Sequence, residues 1–142
     1  MKLVLAADHG GYLLKETIKS SLSAAGHQVV DAGCYSPESV DYPDFAEKAV
    51  TQVIAKECDA AILICGTGIG MSIAANRHHE IRAANCHDVY TTKMSREHNN
   101  ANVLCLGARV LDDHTALEMV RVWLETPFAG GRHQRRIEKL SN

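Results

Sequence analysis

Cys65-Gly66-Thr67-Gly68-Ile69-Gly70 sets a thiol directly before three glycines in five positions, at the end of the apolar run Ala60–Ile64. A strand that ends in such a turn and restarts as a helix leaves backbone N–H groups unpaired and presents the positive end of a helix dipole. That arrangement holds an anion. The anion is either a bound phosphate or an oxyanion that forms only during reaction. Helix N-termini also stabilise thiolates. A free cysteine is commonly a small core residue, but Cys65 abuts the turn instead of lying earlier in the strand, which favours a functional thiol.

Three familiar glycine motifs do not fit. A dinucleotide fingerprint needs G-x-G-x-x-G after the first strand. Here the third glycine, Gly70, comes one residue early and the turn follows the third strand. A P-loop needs a Lys-Ser/Thr pair after the glycines, and none is present. A cysteine phosphatase needs an arginine soon after the cysteine, and none occurs until Arg77.

Other polar groups collect in three places. Asp8-His9 precedes Gly10-Gly11, so Asp8 either turns back to cap the next helix or faces a sugar oxygen, with His9 toward a phosphate or hydroxyl. His98-Asn99 follows a helical stretch, and a histidine there is either a dipole partner or a proton shuttle. Arg132 and Arg136 lie four apart, share one helix face and could grip one phosphate. The alternative for that basic run is a solvated face. No metal is expected, because His78-His79 point apart on a helix and no second ligand pair has fitting spacing.

These groups need a scaffold, and the hydrophobic pattern supplies one. Strands are expected at Lys2–Ala7, His27–Ala32, Ala60–Ile64, Ile81–Asn85 and Asn102–Leu106. Helices are expected at Tyr12–Ala25, Phe45–Lys56, Gly68–Asn76, Val89–Glu97, His114–Glu125 and Arg132–Leu140, with Cys34–Pro43 as a loop. In the first helix, Leu13, Leu14, Ile18, Leu22 and Ala25 read as the inward face, closed by Gly26. In the second, Ala46, Ala49, Val50, Val53 and Ile54 do. Met119, Trp123 and Leu124 read as core. Five βα units with short connections imply a single α/β domain over residues 1–142, with a five-stranded parallel sheet covered by helices on both faces and an extra C-terminal helix. In such sheets, ligands sit beyond the carboxyl ends of the strands. Asp8–Gly11, Asp31–Cys34, Cys65–Gly70, Cys86–Asp88 and Gly107–Arg109 all fall there.

Composition narrows the function classes. The 142 residues suffice for one core, and 46% hydrophobic residues against 23% charged is ordinary for a soluble domain. A formal charge of −2 supplies no global field toward nucleic acid or anionic membrane. The basic run has no interleaved aromatic residues to stack bases. Neither a signal segment nor a transmembrane run is evident. The five cysteines form no CxxC, which fits a reducing, cytoplasmic setting.

Taken together, Asp8-His9-Gly10-Gly11, Asp41-Tyr42-Pro43, Cys65–Gly70, Ala74-Ala75-Asn76, Ser95–Leu104, Gly107-Ala108-Arg109 and Gly130–Ile137 resemble ribose-5-phosphate isomerase type B. That family also holds allose-6-phosphate and galactose-6-phosphate isomerases. The resemblance spans nearly the whole chain with its motifs in order. It implies a Rossmann-like fold and a cofactor-free aldose–ketose isomerase acting on ribose 5-phosphate and ribulose 5-phosphate. It implies Cys65 as the proton-transferring base, with Thr67 beside it and Gly66, Thr67, Gly68, Ile69 and Gly70 stabilising an enediolate. His98 then opens the sugar ring, helped by Asp8. His9, Asn99, Arg109, Arg132 and Arg136 contact the phosphate and sugar. It further implies a homodimer or tetramer whose sites are shared between subunits. One branch of the family has serine for the cysteine and a glutamate on the following helix, whereas this chain has Cys65, Ala75 and Asn76. Two other readings stay open: a preference for allose 6-phosphate, and a sugar-phosphate sensor without turnover.

Overall fold

The computed structural model describes residues 1–141. The chain alternates β1 (Lys2–Ala7), α1 (Tyr12–Ala24), β2 (Gln28–Asp31), α2 (Tyr42–Ile54), β3 (Ala60–Cys65), α3 (Ile69–Ala75), β4 (Ala83–Asn85), α4 (Val89–Glu97), β5 (Val103–Gly107), α5 (Asp113–Glu125) and α6 (Arg132–Glu138), then a 3₁₀ turn over Lys139–Ser141. The strands form one all-parallel sheet in the order β2-β1-β3-β5-β4. Successive side chains of a strand point to opposite faces, and two cores follow from that alternation. Leu3, Leu5, Ile62, Ile64, Leu104 and Leu106 pack under α1 and α5 with Ile18, Met119 and Trp123. Val4, Ala6, Ala61, Leu63, Val103 and Cys105 pack under α2 and α3 with Ala49, Val50 and Met71. This is the Rossmann-like three-layer arrangement expected from the sequence.

The differences are local and have physical causes. Leu13 is 75% exposed, whereas Lys15, two residues on and on the opposite side of the helix, is fully buried. Lys15 Nζ reaches the Asp31 carboxylate at 2.7 and 2.8 Å and lies 5.5 and 5.6 Å from the rings of Tyr12 and Tyr35. The inward face of α1 is therefore Leu14, Lys15, Ile18 and Leu22, and Ala25 is exposed. Helix α2 begins at Tyr42, inside the stretch expected as loop, because Pro43 fits the first helical turn, where no N–H is required. Ile54 is half-buried against its core. Strand β4 starts at Ala83, two residues late. The preceding Arg82 N–H goes instead to Asn102 Oδ1, and Asn76 takes both backbone groups of Ala83, from Nδ2 to its O at 2.9 Å and from its N–H to Oδ1 at 2.8 Å. Gly26 closes α1 as expected, at φ +91°, with its N–H donating to Ser23 O and the His27 N–H to Leu22 O.

Each strand delivers its loop to the carboxyl edge of the sheet, and each helix between strands returns to the amino edge. Residues just after β1, β3 and β5 therefore meet at one edge. The turn after α4, which leads into β5, lies at the other.

Candidate active site

Cys65 is the last residue of β3 and is 5% exposed. After it the chain turns through Gly68, at φ +83°, a left-handed position that favours glycine. A side chain there would also collide with Asn85 Oδ1. This turn brings the Gly68 N–H to 3.1 Å from Cys65 Sγ. An N–H aimed at sulfur stabilises the anionic form of that sulfur. The Thr67 hydroxyl oxygen accepts the Ile69 N–H at 3.2 Å, which leaves its own hydrogen free to donate. Among the described residues, the backbone N–H groups of Gly66, Thr67 and Gly70 have no protein acceptor. They form a cradle for negative charge next to the thiol.

The neighbouring loops close on this turn. Ala108 N–H donates to Cys65 O at 2.9 Å and Arg109 N–H to Gly66 O at 3.0 Å. Gly107 allows that approach, since a Cβ there would lie 2.6 Å from Thr67 O. A Cβ on Gly10 would lie 3.3 Å from both Asp8 Oδ1 and Gly66 N and 3.4 Å from Arg109 Nη2. Asp8, the cradle and the Arg109 guanidinium thus border one small space. Asp8 Oδ1 accepts the N–H groups of Gly10 and Gly11 at 2.9 and 3.2 Å, so one oxygen fixes the turn and Oδ2 remains. His9 Nδ1 accepts the Val40 N–H at 3.2 Å, which puts the ring proton on Nε2. The Tyr42 ring lies over Gly70, where a Cβ would approach within 2.8 Å.

The remaining candidates are elsewhere. His98 caps the C-terminus of α4 and Asn99 follows it, at the amino edge of the sheet. Their turn leads to Asn102, whose O accepts the Ala61 N–H at the start of β3. The His98 ring stacks on His133 of α6, with centroids 4.2 Å apart and planes within 13°. Burial, and then the neighbouring His98, Arg132 and Arg136, hold the His133 imidazole below the ordinary histidine value. Arg132 and Arg136 are exposed on α6 and make no side-chain hydrogen bond among the described residues. One chain therefore brings together Asp8, His9, Cys65–Gly70 and Arg109, and separately His98, Asn99, Arg132 and Arg136. It does not join the two groups.

Sequence reasoning gave no role to His133, Lys15, Arg82 or Arg96, and only the "DYP" motif pointed to Tyr42. Asp88, read from the sequence as starting a helix, caps α4 by accepting the Thr91 N–H at 2.7 Å, which lowers its carboxyl below the usual range. The buried Cys105 thiol is pushed well up by burial, which suits an inert core residue. Among the described residues, no cluster of three His, Cys, Asp or Glu side chains could hold a metal, and no helix is long and apolar enough to cross a membrane. A cavity of about 770 Å³ between α1 and α5, bordered by Leu22, His27, His114 and Arg121, touches none of the candidate residues.

Residues 3–140 match the family model described as Ribose/Galactose Isomerase. Ribose-5-phosphate isomerase B of Escherichia coli is 43% identical over 140 residues, covering 99% of this chain and 94% of that protein. The solved structure of ribose-5-phosphate isomerase B from Clostridium thermocellum superposes with a TM-score of 0.98 at 50% identity, covering 99% and 95% of the two chains. The Mycoplasma genitalium enzyme, solved with bound ribulose-5-phosphate, gives a TM-score of 0.94 at 41% identity, covering 99% and 93%.

Proposed function

The chain belongs to the ribose/galactose isomerase family, and on that premise we propose that this aldose–ketose isomerase interconverts D-ribose 5-phosphate and D-ribulose 5-phosphate through an enediolate. The observation that carries the mechanism is the Gly68 N–H on Cys65 Sγ at 3.1 Å, beside three N–H groups without acceptors. The Cys65 thiolate takes the proton from C2 of the open aldose. The electron pair moves through the new C1–C2 double bond onto O1. The N–H groups of Gly66, Thr67 and Gly70, which have no protein acceptor among the described residues, receive that oxygen, so little reorganises as its charge forms. Protonation at C1, with transfer of the O2 proton, gives the ketose. The Thr67 hydroxyl and Asp8 Oδ2 hold the sugar hydroxyls, and His9 Nε2–H donates to the substrate.

His98 opens the furanose ring, and Asn99, Arg132 and Arg136 hold the phosphate end, all from a second copy of the chain. The separation of these residues from Cys65 within one chain supports that assignment. So does α3, whose outer face exposes Ile69 (53%) and Ile73 (58%) beside the cradle, apolar surface suited to burial in a dimer. Incubation with ribose 5-phosphate in heavy water, followed by proton NMR, tests the reading. Ribulose 5-phosphate carrying deuterium at C1 is expected. No conversion and no exchange by the folded protein, with allose 6-phosphate tested alongside, would leave only a sensor.

A further inference from the structure

The turn after α4 is held more firmly than a helix end requires. Arg82 Nε donates to Asn99 O and Asn100 O at 3.1 and 3.2 Å, and its Nη2 to Asn100 O at 3.0 Å. Arg96 Nη1 donates to Ala101 O at 2.6 Å and to Asn100 Oδ1 at 3.0 Å. The Arg96 guanidinium also lies 5.7 Å from the centre of the Trp123 ring. Between these forks Asn100 sits at φ +45°, a conformation uncommon for a residue with a side chain. Neither arginine has a carboxylate partner among the described residues. Burial pulls both below the ordinary guanidinium value, and the Arg82 charge adds to that effect on Arg96. Two adjacent, partly desolvated cations are thus committed to the carbonyls of three consecutive residues. Those carbonyls belong to the turn that displays His98 and Asn99.

We propose that Arg82 and Arg96 are positioning residues: they lock the turn over residues 98–101 so that His98 is presented, in one orientation, to the ring oxygen of a sugar in the second chain's cradle. The inference rests on the isomerase reading above. It makes a selective claim, because only one of the two sugars needs ring opening. Ribose 5-phosphate is largely a furanose. Ribulose 5-phosphate has its carbonyl at C2 and its phosphate on O5, so it has no free hydroxyl placed to close a furanose. Proton exchange at C1 of the ketose therefore needs the thiol and the cradle but not the ring-opening histidine.

The test compares two rates on full-length protein in heavy water. One is conversion of ribose 5-phosphate. The other is entry of deuterium at C1 of ribulose 5-phosphate. Arg82→Met is expected to lower kcat for ribose 5-phosphate about 100-fold, the scale of a small misplacement of a reacting group, while ketose exchange at saturating ribulose 5-phosphate, where weaker phosphate contact through Asn99 no longer counts, stays within about threefold of wild type. Arg82→Lys keeps the charge but cannot fork to two carbonyls. Asn100→Gly suits the left-handed position but removes one acceptor of Arg96, Asn100 Oδ1, and leaves Ala101 O. Both keep the fold and show the same selective loss in smaller measure. Parallel loss of both rates, or loss of neither, overturns the clamp while leaving the isomerase intact. Absence of ketose exchange in the wild-type protein overturns the proposed function itself, and the clamp with it.

Discussion

Cys65 and Arg136 separate chemistry from binding. Replacing Cys65 by alanine removes the proposed base and leaves the cradle N–H groups in place. Isomerisation is expected to fall by about 10³-fold, with sugar-phosphate affinity by calorimetry little changed. Near-normal turnover would take the thiol out of the mechanism. Arg136→Ala is expected to raise KM for ribose 5-phosphate with a small effect on kcat, as measured in steady-state kinetics. An unchanged KM would make α6 a merely solvated face. Gly107→Ala probes the cradle without touching a reacting group. Its Cβ would press on the Thr67 carbonyl at 2.6 Å, costing about 2 kcal/mol of stability by denaturant titration. The thiol and the glycine turn were legible in the sequence because they are contiguous and their types are chemically unusual together. Arg82 and Arg96 were not, since a guanidinium serving backbone carbonyls many residues away leaves no local pattern.

Helix α1 shows where periodicity misleads. An apolar stripe through Leu13, Leu14 and Ile18 satisfies the 3.6-residue rule, and a lysine inside it reads as a solvated neighbour. The partner that reverses this, Asp31, is on β2 and joins only through the fold. Burial alone would raise the Asp31 carboxyl. The hydrogen bonds from Lys15 and Lys19 and from the Gly33 N–H outweigh it and hold the group below its ordinary 3.8. Because the folded value is depressed, the stabilisation is present above pH 3.8 and is lost as pH falls through the depressed value. Lys15→Met leaves Asp31 with Lys19 as its one charged partner, beside the Gly33 N–H, and is expected to cost about 3 kcal/mol near pH 7. The deficit should shrink under strong acid, where the wild type loses the same bond. Urea melts at pH 7 and pH 2.5 check both the size and the sign. An equal deficit at the two values would mean that packing, and not the ion pair, holds α1 to β2.

The whole molecule carries its candidate residues on opposite edges of the sheet, and alternation of strands and helices alone made the edges predictable. Which residues a second chain would supply was not legible, because one chain's hydrophobic pattern does not reveal how two copies would meet. Subunit sharing is tested by mixing. Inactive Cys65→Ala and His98→Ala variants, co-refolded one to one, should recover about a quarter of the wild-type activity, since half the dimers are mixed and each has one intact site. No recovery would place both residues in one chain's site. The same architecture leaves β4 as an outer strand, and unpaired outer strands invite pairing with other molecules. Asn76 forestalls that at Ala83 by offering one donor and one acceptor to the backbone. Side-chain amides hydrolyse slowly, and asparagine is among the thermolabile residues. An aspartate at 76 would keep the Ala83 N–H but turn a second oxygen toward Ala83 O, so the guard on this strand has a chemical lifetime. Heat-aged protein should gain one negative charge at this residue before it begins to clump, and its shelf life would then be set by one amide group instead of by the core.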